Sequence, residues 1–399
     1  MDVYFWPSLQ ILASARLARG ILYTFDTETL NSGKYDMKQV KEKVSAIILP
    51  AFASTFTEVA SEPQNSNNEL NRLSLQIKIQ TQLVCIVSEL GSEIEKWFRW
   101  HENNPLKSRA SFDVRNVLSW RSIGIIDRFK TARVLIQNKC LNIKDRLFLA
   151  CQYYFEDDVQ KLWTVMSKKD RLRVRIQWKN SGNMQHWLRA LINRTALDWA
   201  EMSRNITKDE FFFKNFEGVP YYFARLQGQE IRYLCIQSWL EHGYLCPFDL
   251  YFCLFQLKAE ELTDVLTRLP KDLMHEVFAY FLQWPLQSVF LGVVKSFKAH
   301  INGDIFLALI CVLVDKLESG GEDNAYIDLL KNLWNALSSQ YSNFVEQHEI
   351  LNKIVKYVLS ATVPFNRENC QNFISKLRVI EGEKTERRKF SDIFYPWNA

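Results

Sequence analysis

The chain has 399 residues, 47% hydrophobic and 24% charged, with a net charge of +5 at pH 7. That length exceeds the ~250–300 residues at which a single core stops growing, so two domains or an elongated array is expected, and the apolar content excludes wholesale disorder. A pI near 8.6 is mildly basic, short of the value above ~9 that marks a dedicated nucleic-acid domain.

Only 13 Gly and 10 Pro are present, about half their usual frequency, while aromatics reach 14% with 12 Trp and 27 Phe. Sheet proteins need Gly- and Pro-rich turns, so this scarcity favours long helices joined by short links, with aromatic rings filling the space between them. The opening "MDVYFWPSLQILASARLARGIL" is apolar but begins with Asp2 and is interrupted by Arg16 and Arg19, so it does not read as a secretory signal. Pro7-Ser8 opens a helix over 7–23 in which Leu9, Leu12, Ala13, Leu17 and Ile21 fall roughly on one face, the expected core stripe. A second helix near 36–49 ends before Pro50. "SEPQNSNNE" (61–69) is a loop, Leu70 to Glu89 a long helix, and Ile94 to Trp100 its continuation or a restart.

The polar stretch "HENNPLKSRAS" (101–111) is the candidate boundary between an N-terminal helical unit, 1–105, and a helical-pair array, 112–380. Within the array, short connections separate helices at 127–137, 143–155, 157–166, 187–204 (two helices meeting near Asn193), 229–241, 248–257, 260–269, 271–283, 287–299, 305–317, 324–338, 350–360 and 367–377. Pro247, Pro270 and Pro285 stand at or just before first turns, where a missing N–H costs little. Ile327, Leu330, Leu333, Trp334 and Leu337 line one helical stripe. The apolar run Ile305–Val314 is half the ~20 residues a bilayer span needs and reads as a core helix. A tail at 381–399 passes from charged to aromatic residues and is expected to pack on the last helices or dock a partner. Shifted by 103 residues, "FLACQYYFEDDVQKLW" falls on "YFCLFQLKAEELTDVL", a hint of repeated two-helix units.

Four features bear on chemistry. Glu156, Asp157 and Asp158 follow an aromatic wall; paired carboxylates could do acid–base work, but helix capping by Asp157 and a favourable first-turn charge suffice. "KKDRLRVRIQWK" (168–179) is the sharpest charge cluster, with Lys168, Lys169, Arg171, Arg173, Arg175 and Trp178. It fits a solvated face first, then a surface for an acidic protein partner, then phosphates with a base stacked on the ring. The histidines at 101, 186, 242, 275, 300 and 348 form no metal or nucleophile motif, and no phosphate-binding or nucleotide fingerprint occurs, so no cofactor and no metal is implied. The eight cysteines, without any C-x-x-C spacing, read as buried free thiols of a reducing compartment, and the sequons at Asn193 and Asn205 as chance matches.

Residues 150–163 resemble the second half of an ankyrin repeat, with Ala150-Cys151 as the paired small residues and Val159 and Leu162 as second-helix apolar positions; Tyr154 and Phe155 stand where that family has a turn glycine. The stretch 124–163, with "PSLQILASARLA", resembles an expanded arthropod family of uncharacterised helical proteins, a likeness that implies helical architecture and no site residues. The expectation is an all-α protein, an irregular α-solenoid of stacked antiparallel helix pairs, cytoplasmic or nuclear and not secreted. Its expected role is that of a non-enzymatic protein–protein interaction scaffold or adaptor. The alternatives are an enzyme whose site is assembled from distant residues, around His186 or His242, and an RNA-binding solenoid using 168–179.

Overall fold

The computed structural model describes residues 5–32, 35–49, 73–74, 76–101, 113–179, 182–204, 217–242, 246–318, 325–361 and 367–380. The loop at 61–69, the link at 102–111 and the tail at 381–399 lie outside these residues. The described chain is all-α apart from one short antiparallel pair, Ile48–Leu49 with Leu73–Ser74.

The N-terminal segment holds α1 (Leu9–Leu22), α2 (Thr27–Ser32), α3 (Met37–Ser45) and α4 (Ile77–His101). Ser8 caps α1, its hydroxyl accepting from the Ile11 amide at 3.2 Å, as the Pro-Ser opening implies. The buried face of α1 shares Ile21 with the expected stripe and otherwise departs from it. Ala15, Ala18, Ile21 and Leu22 point inward, whereas Leu9 is 84% exposed and Leu17 39% exposed. Small side chains let the α1 backbone approach α4 closely, and that packing outweighs the larger stripe.

Helix α4 is continuous across Gly91; it begins at Ile77 rather than at the expected Leu70, and it ends at His101, one residue past the expected Trp100, with His101 buried. Gly91 is required by a neighbour: a Cβ there would sit 2.3 Å from the Tyr35 ring. Its apolar stripe, Leu83, Val84, Val87, Leu90, Ile94, Trp97 and Phe98, is buried against α1, α2 and α3.

The array continues with α5 (Val114–Val117), α6 (Arg128–Gln137), α7 (Ile143–Gln152), α8 (Glu156–Val165), α9 (Lys168–Trp178), α10 (Gly182–Asn193), α11 (Trp199–Arg204), α12 (Val219–Tyr222) and α13 (Gln229–His242). It then runs through α14 (Pro247–Gln256), α15 (Ala259–Arg268), α16 (Lys271–Tyr280), α17 (Phe290–Ser296), α18 (Gly303–Glu318), α19 (Ala325–Glu346), α20 (Glu349–Ser360) and α21 (Arg367–Ile380). Sequential helices pack as antiparallel neighbours, α6 on α7, α7 on α8, α18 on α19 and α19 on α20. Helix α18, apolar almost all round, is buried among α16, α19, α20 and α21, as its ten-residue run implies. No described helix is long and apolar enough to cross a membrane. One apolar cluster runs without a break from Ala18 and Leu22 through Leu147 and Phe278 to Ile374, so residues of the expected N-terminal unit and of the array share it.

The α7–α8 corner explains "FLACQYYFEDD". Helix α7 stops at Gln152, Tyr153 and Tyr154 make the turn, and Tyr154 takes a left-handed φ of +55°. A side chain tolerates that conformation at a cost that burial must offset. Tyr154 is 1% exposed and packs on Trp199, Tyr222 and Trp187 with centroids 5.0, 5.9 and 6.1 Å away. Asp157 does not cap α8. The N-cap is Phe155, which offers no side-chain acceptor, and the three acids occupy the first turn instead. Glu156 there accepts from the Leu197 amide at 3.2 Å and pairs with Arg225 at 3.4 Å. The segment before α12 closes over this corner through Gly218, where a Cβ would lie 2.5 Å from the Gln152 carbonyl oxygen and 2.8 Å from the Tyr153 Cα. Because backbone atoms cannot step aside, Gly218→Ala is expected to lower unfolding free energy by ~1–3 kcal/mol in urea titration monitored by circular dichroism.

Candidate functional site

The basic stretch forms a regular helix, α9, with Ser167 as N-cap: its hydroxyl accepts from the Asp170 amide at 3.1 Å and donates to the Asp170 carboxylate at 2.6 Å. Helical spacing splits the predicted residues between two sides. Val174 and Trp178 are buried, 2% and 3% exposed, and Arg171 is half-buried beside them. Trp178 is therefore a core residue, unavailable to stack a base. Lys168, Lys169, Arg173 and Arg175 are exposed. Arg173 lies 3.9 Å from Asp170, and the Arg175 guanidinium sits 5.7 Å from the Trp163 ring centroid, which orients it along the surface.

Sequence reasoning passed over the apolar residues interleaved with these bases. Leu172 and Ile176, one turn apart, are 57% and 68% exposed, and Val165 at the end of α8 is 68% exposed. At 100° per residue Leu172 and Ile176 occupy the middle of the outward arc, with Lys168 and Arg175 on one flank and Lys169 and Arg173 on the other. The signal was present: Leu172, Val174, Ile176 and Trp178 alternate along α9 with too wide an angular spread for one buried side.

A second gathering of polar groups lies in the interior and draws on residues far apart in sequence. Arg128, the first residue of α6 and 5% exposed, reaches Asp249 of α14 at 3.2 Å and Glu93 of α4 at 3.5 Å. Burial raises the Asp249 carboxyl above its ordinary range, and Arg128 and Arg121 act against that rise. Beside this triad His101 stacks on Trp97 at 4.5 Å; its Nδ1–H donates to the Trp97 carbonyl at 2.7 Å, which leaves Nε2 to accept the Tyr153 hydroxyl at 3.1 Å. Desolvation pulls His101 down to about 4, so the imidazole is neutral at physiological pH. Glu217 is buried, with one carboxyl oxygen taking the Gln152 amide at 3.2 Å and the other without a hydrogen-bond partner among the described residues. Burial pushes it up to about 8.

These groups meet inside packed helices. His186 is half-buried, 3.9 Å from Glu201, which Arg189 also holds at 2.5 Å; its imidazole is lowered chiefly by desolvation. The side chain of His242 lies outside the described residues. None of the eight cysteines is paired in a disulfide; six are buried, Cys85 is half-buried and Cys140 exposed. Burial pushes the thiols of Cys151, Cys235, Cys246, Cys253 and Cys311 up, holding them protonated and poorly nucleophilic. No group of three or more His, Cys, Asp or Glu among the described residues is placed to hold a metal ion.

Comparison with protein-family models, with curated proteins and with solved structures finds no match to this chain.

Two outcomes follow from the interior network. Arg128→Met leaves two largely buried carboxylates without the cation they share and is expected to cost ~3–5 kcal/mol in chemical denaturation, far more than its volume change alone. Glu217 is protonated in the folded chain up to about pH 8 but ionised when unfolded above its ordinary value of 4.5. The unfolded state therefore binds fewer protons across that window, and stability falls as pH rises from 4.5 to 8. Glu217→Gln is expected to flatten that slope and to raise stability at pH 8 by a few kcal/mol, on the order of ~3, measured by melting at a series of pH values.

Proposed function

We propose that the protein is a non-enzymatic interaction scaffold, an adaptor built on helix pairs, whose α9 face docks an acidic segment of a protein partner. The observation that carries this reading is the pair Leu172 and Ile176, 57% and 68% exposed, on a helix already anchored through Val174 and Trp178. Exposed aliphatic side chains in the middle of a helix gain ~25 cal/mol per Å² when a partner covers them. The flanking Lys168, Lys169, Arg173 and Arg175 would draw an acidic segment to the face and fix its register. The nucleic-acid alternative loses the ring that the sequence offered it, since Trp178 lies in the core. The enzyme alternative, placed around His186 or His242, finds His186 half-buried and 3.9 Å from Glu201, a carboxylate already paired with Arg189.

The repeat reading supports the scaffold. Helices α7 and α8 have ten residues each across a three-residue break, and α14 and α15 ten each across two, with α8 and α15 offset by the 103 residues of the sequence match. Stacked pairs of this kind present extended surfaces to partners.

Affinity capture from the native cells tests the proposal with two variants, Lys168→Glu/Lys169→Glu/Arg173→Glu and Leu172→Ser/Ile176→Ser. Both change exposed positions, and acids early in α9 suit the helix dipole, so the fold is expected to persist. A partner lost from both variants, and recovered on the charge-reversed variant by a charge-reversed form of its own acidic segment, supports the docking face. Partners unchanged in both variants remove α9 from the reading.

A further inference from the structure

The face of α1 that periodicity marks as core, and that the structure turns outward, lines a groove. Leu9, Leu12 and Ala13 form its apolar wall, and Arg16, Arg19 and Arg121 stand on it together with Ser122 and Gly124. Its volume is about 550 Å³, within the ~300–1,000 Å³ typical of small-molecule sites. No acidic side chain is among the lining residues.

Three guanidinium groups around one concavity repel each other, and the cost rises where low-dielectric walls focus the field. Arg19 has a local reason to be where it is, since it lies in the last turn of α1 and complements the helix C-terminus. Arg16, one turn earlier and exposed, has no such account. Arg121 comes from the opposite wall and is held in place: its guanidinium lies 5.2 Å from the Phe248 ring centroid. The turn that carries it is closed by the Arg121 amide donating to the Ile125 carbonyl at 2.8 Å and by the Trp284 indole N–H donating to the Ile123 carbonyl at 3.1 Å. Arg121 is thus preorganised, and guanidinium forks match carboxylate and phosphate oxygens bidentately. The wall beneath them is aliphatic, and Leu9 is 84% exposed at its outer end.

We propose that this groove is a binding site for a small amphiphilic anion, its carboxylate or phosphate head on Arg16, Arg19 and Arg121 and its short aliphatic body against Leu9, Leu12 and Ala13. The inference is independent of the docking face on α9. Head and body each have a separate partner, so neither an inorganic anion nor a neutral alcohol satisfies the site.

Calorimetric titration of the full chain tests it with octyl phosphate, octanoate, inorganic phosphate and octanol, all below their micelle or solubility limits. Octyl phosphate and octanoate are expected to bind with a Kd on the order of ~10–100 μM, at least about tenfold tighter than inorganic phosphate or octanol. The octyl phosphate affinity should fall with added salt. Arg16→Glu reverses the charge at an exposed position and Ala13→Trp fills the groove from another. Each is expected to weaken octyl phosphate about tenfold or more while the melting temperature stays within a few degrees of the parent chain. The relative strengths of octyl phosphate and octanoate distinguish a phosphate-headed from a carboxylate-headed natural ligand. Binding of octyl phosphate no tighter than inorganic phosphate or octanol, equal binding by both variants, or no saturable heat up to about 5 mM would each overturn the proposal.

Discussion

Arg128 holds three parts of the chain together. Its guanidinium bridges Glu93 on the long N-terminal helix and Asp249 on the helix that opens at Pro247, partners 35 and 121 residues away. A charge buried to this degree is tolerable only when it is paired, and each partner depends on the same cation. The geometry of α6 therefore constrains how α4 and α14 approach. Asp127 prepares that geometry by capping α6, its carboxylate accepting from the Lys130 amide at 3.0 Å. Nearby, His101 and Tyr153 join the end of α4 to the α7–α8 corner through a neutral hydrogen bond. Lys316 adds a third tie from α18 to Glu89 of α4 at 3.9 Å. Helix α4 thus meets helices from the middle and the far end of the array.

Around this centre the packing obeys size more than hydrophobicity. Helix α1 buries Ala15 and Ala18 and leaves Leu9 outside because a close helix approach gains more contact than a wider one filled with leucine. Gly91 yields space to Tyr35 in the same way. At the α7–α8 corner the opposite solution appears, with Tyr153, Tyr154 and Phe155 buried and a left-handed turn accepted at Tyr154 because its ring finds Trp199 and Tyr222. The three acids that follow are helix-start charges, and Glu156 also ties the corner to Leu197 and Arg225. The surfaces this packing leaves open, the outer arc of α9 and the groove on α1, combine aliphatic side chains with an excess of positive charge.

Much of the architecture was readable from composition and period. The low Gly and Pro content announced helices, and the runs at 128–137, 303–318 and 349–360 carry their apolar stripes to the core within a few residues of expectation, while the helix expected at 324–338 continues to Glu346. The short helices Thr27–Ser32, Val114–Val117 and Val219–Tyr222 escaped because one turn is too brief to show a period. Of the basic cluster, the sequence located the four exposed bases but placed Trp178 with them and overlooked Leu172 and Ile176; a mixed charge pattern does not say which arc of a helix faces inward. Nothing local marked Arg128, Glu93 and Asp249, or His101 and Tyr153, since each pair is joined only across the fold.

Periodicity, capping residues and punctuation by Pro7, Pro247 and Pro270 specified most of the longer helical segments and several of their starts, because those signals act over one or two turns. Which face each helix buries, which distant charges meet and which apolar side chains stay at the surface were decided by tertiary packing, since close approach, desolvation and pairing depend on neighbours that only the folded chain supplies.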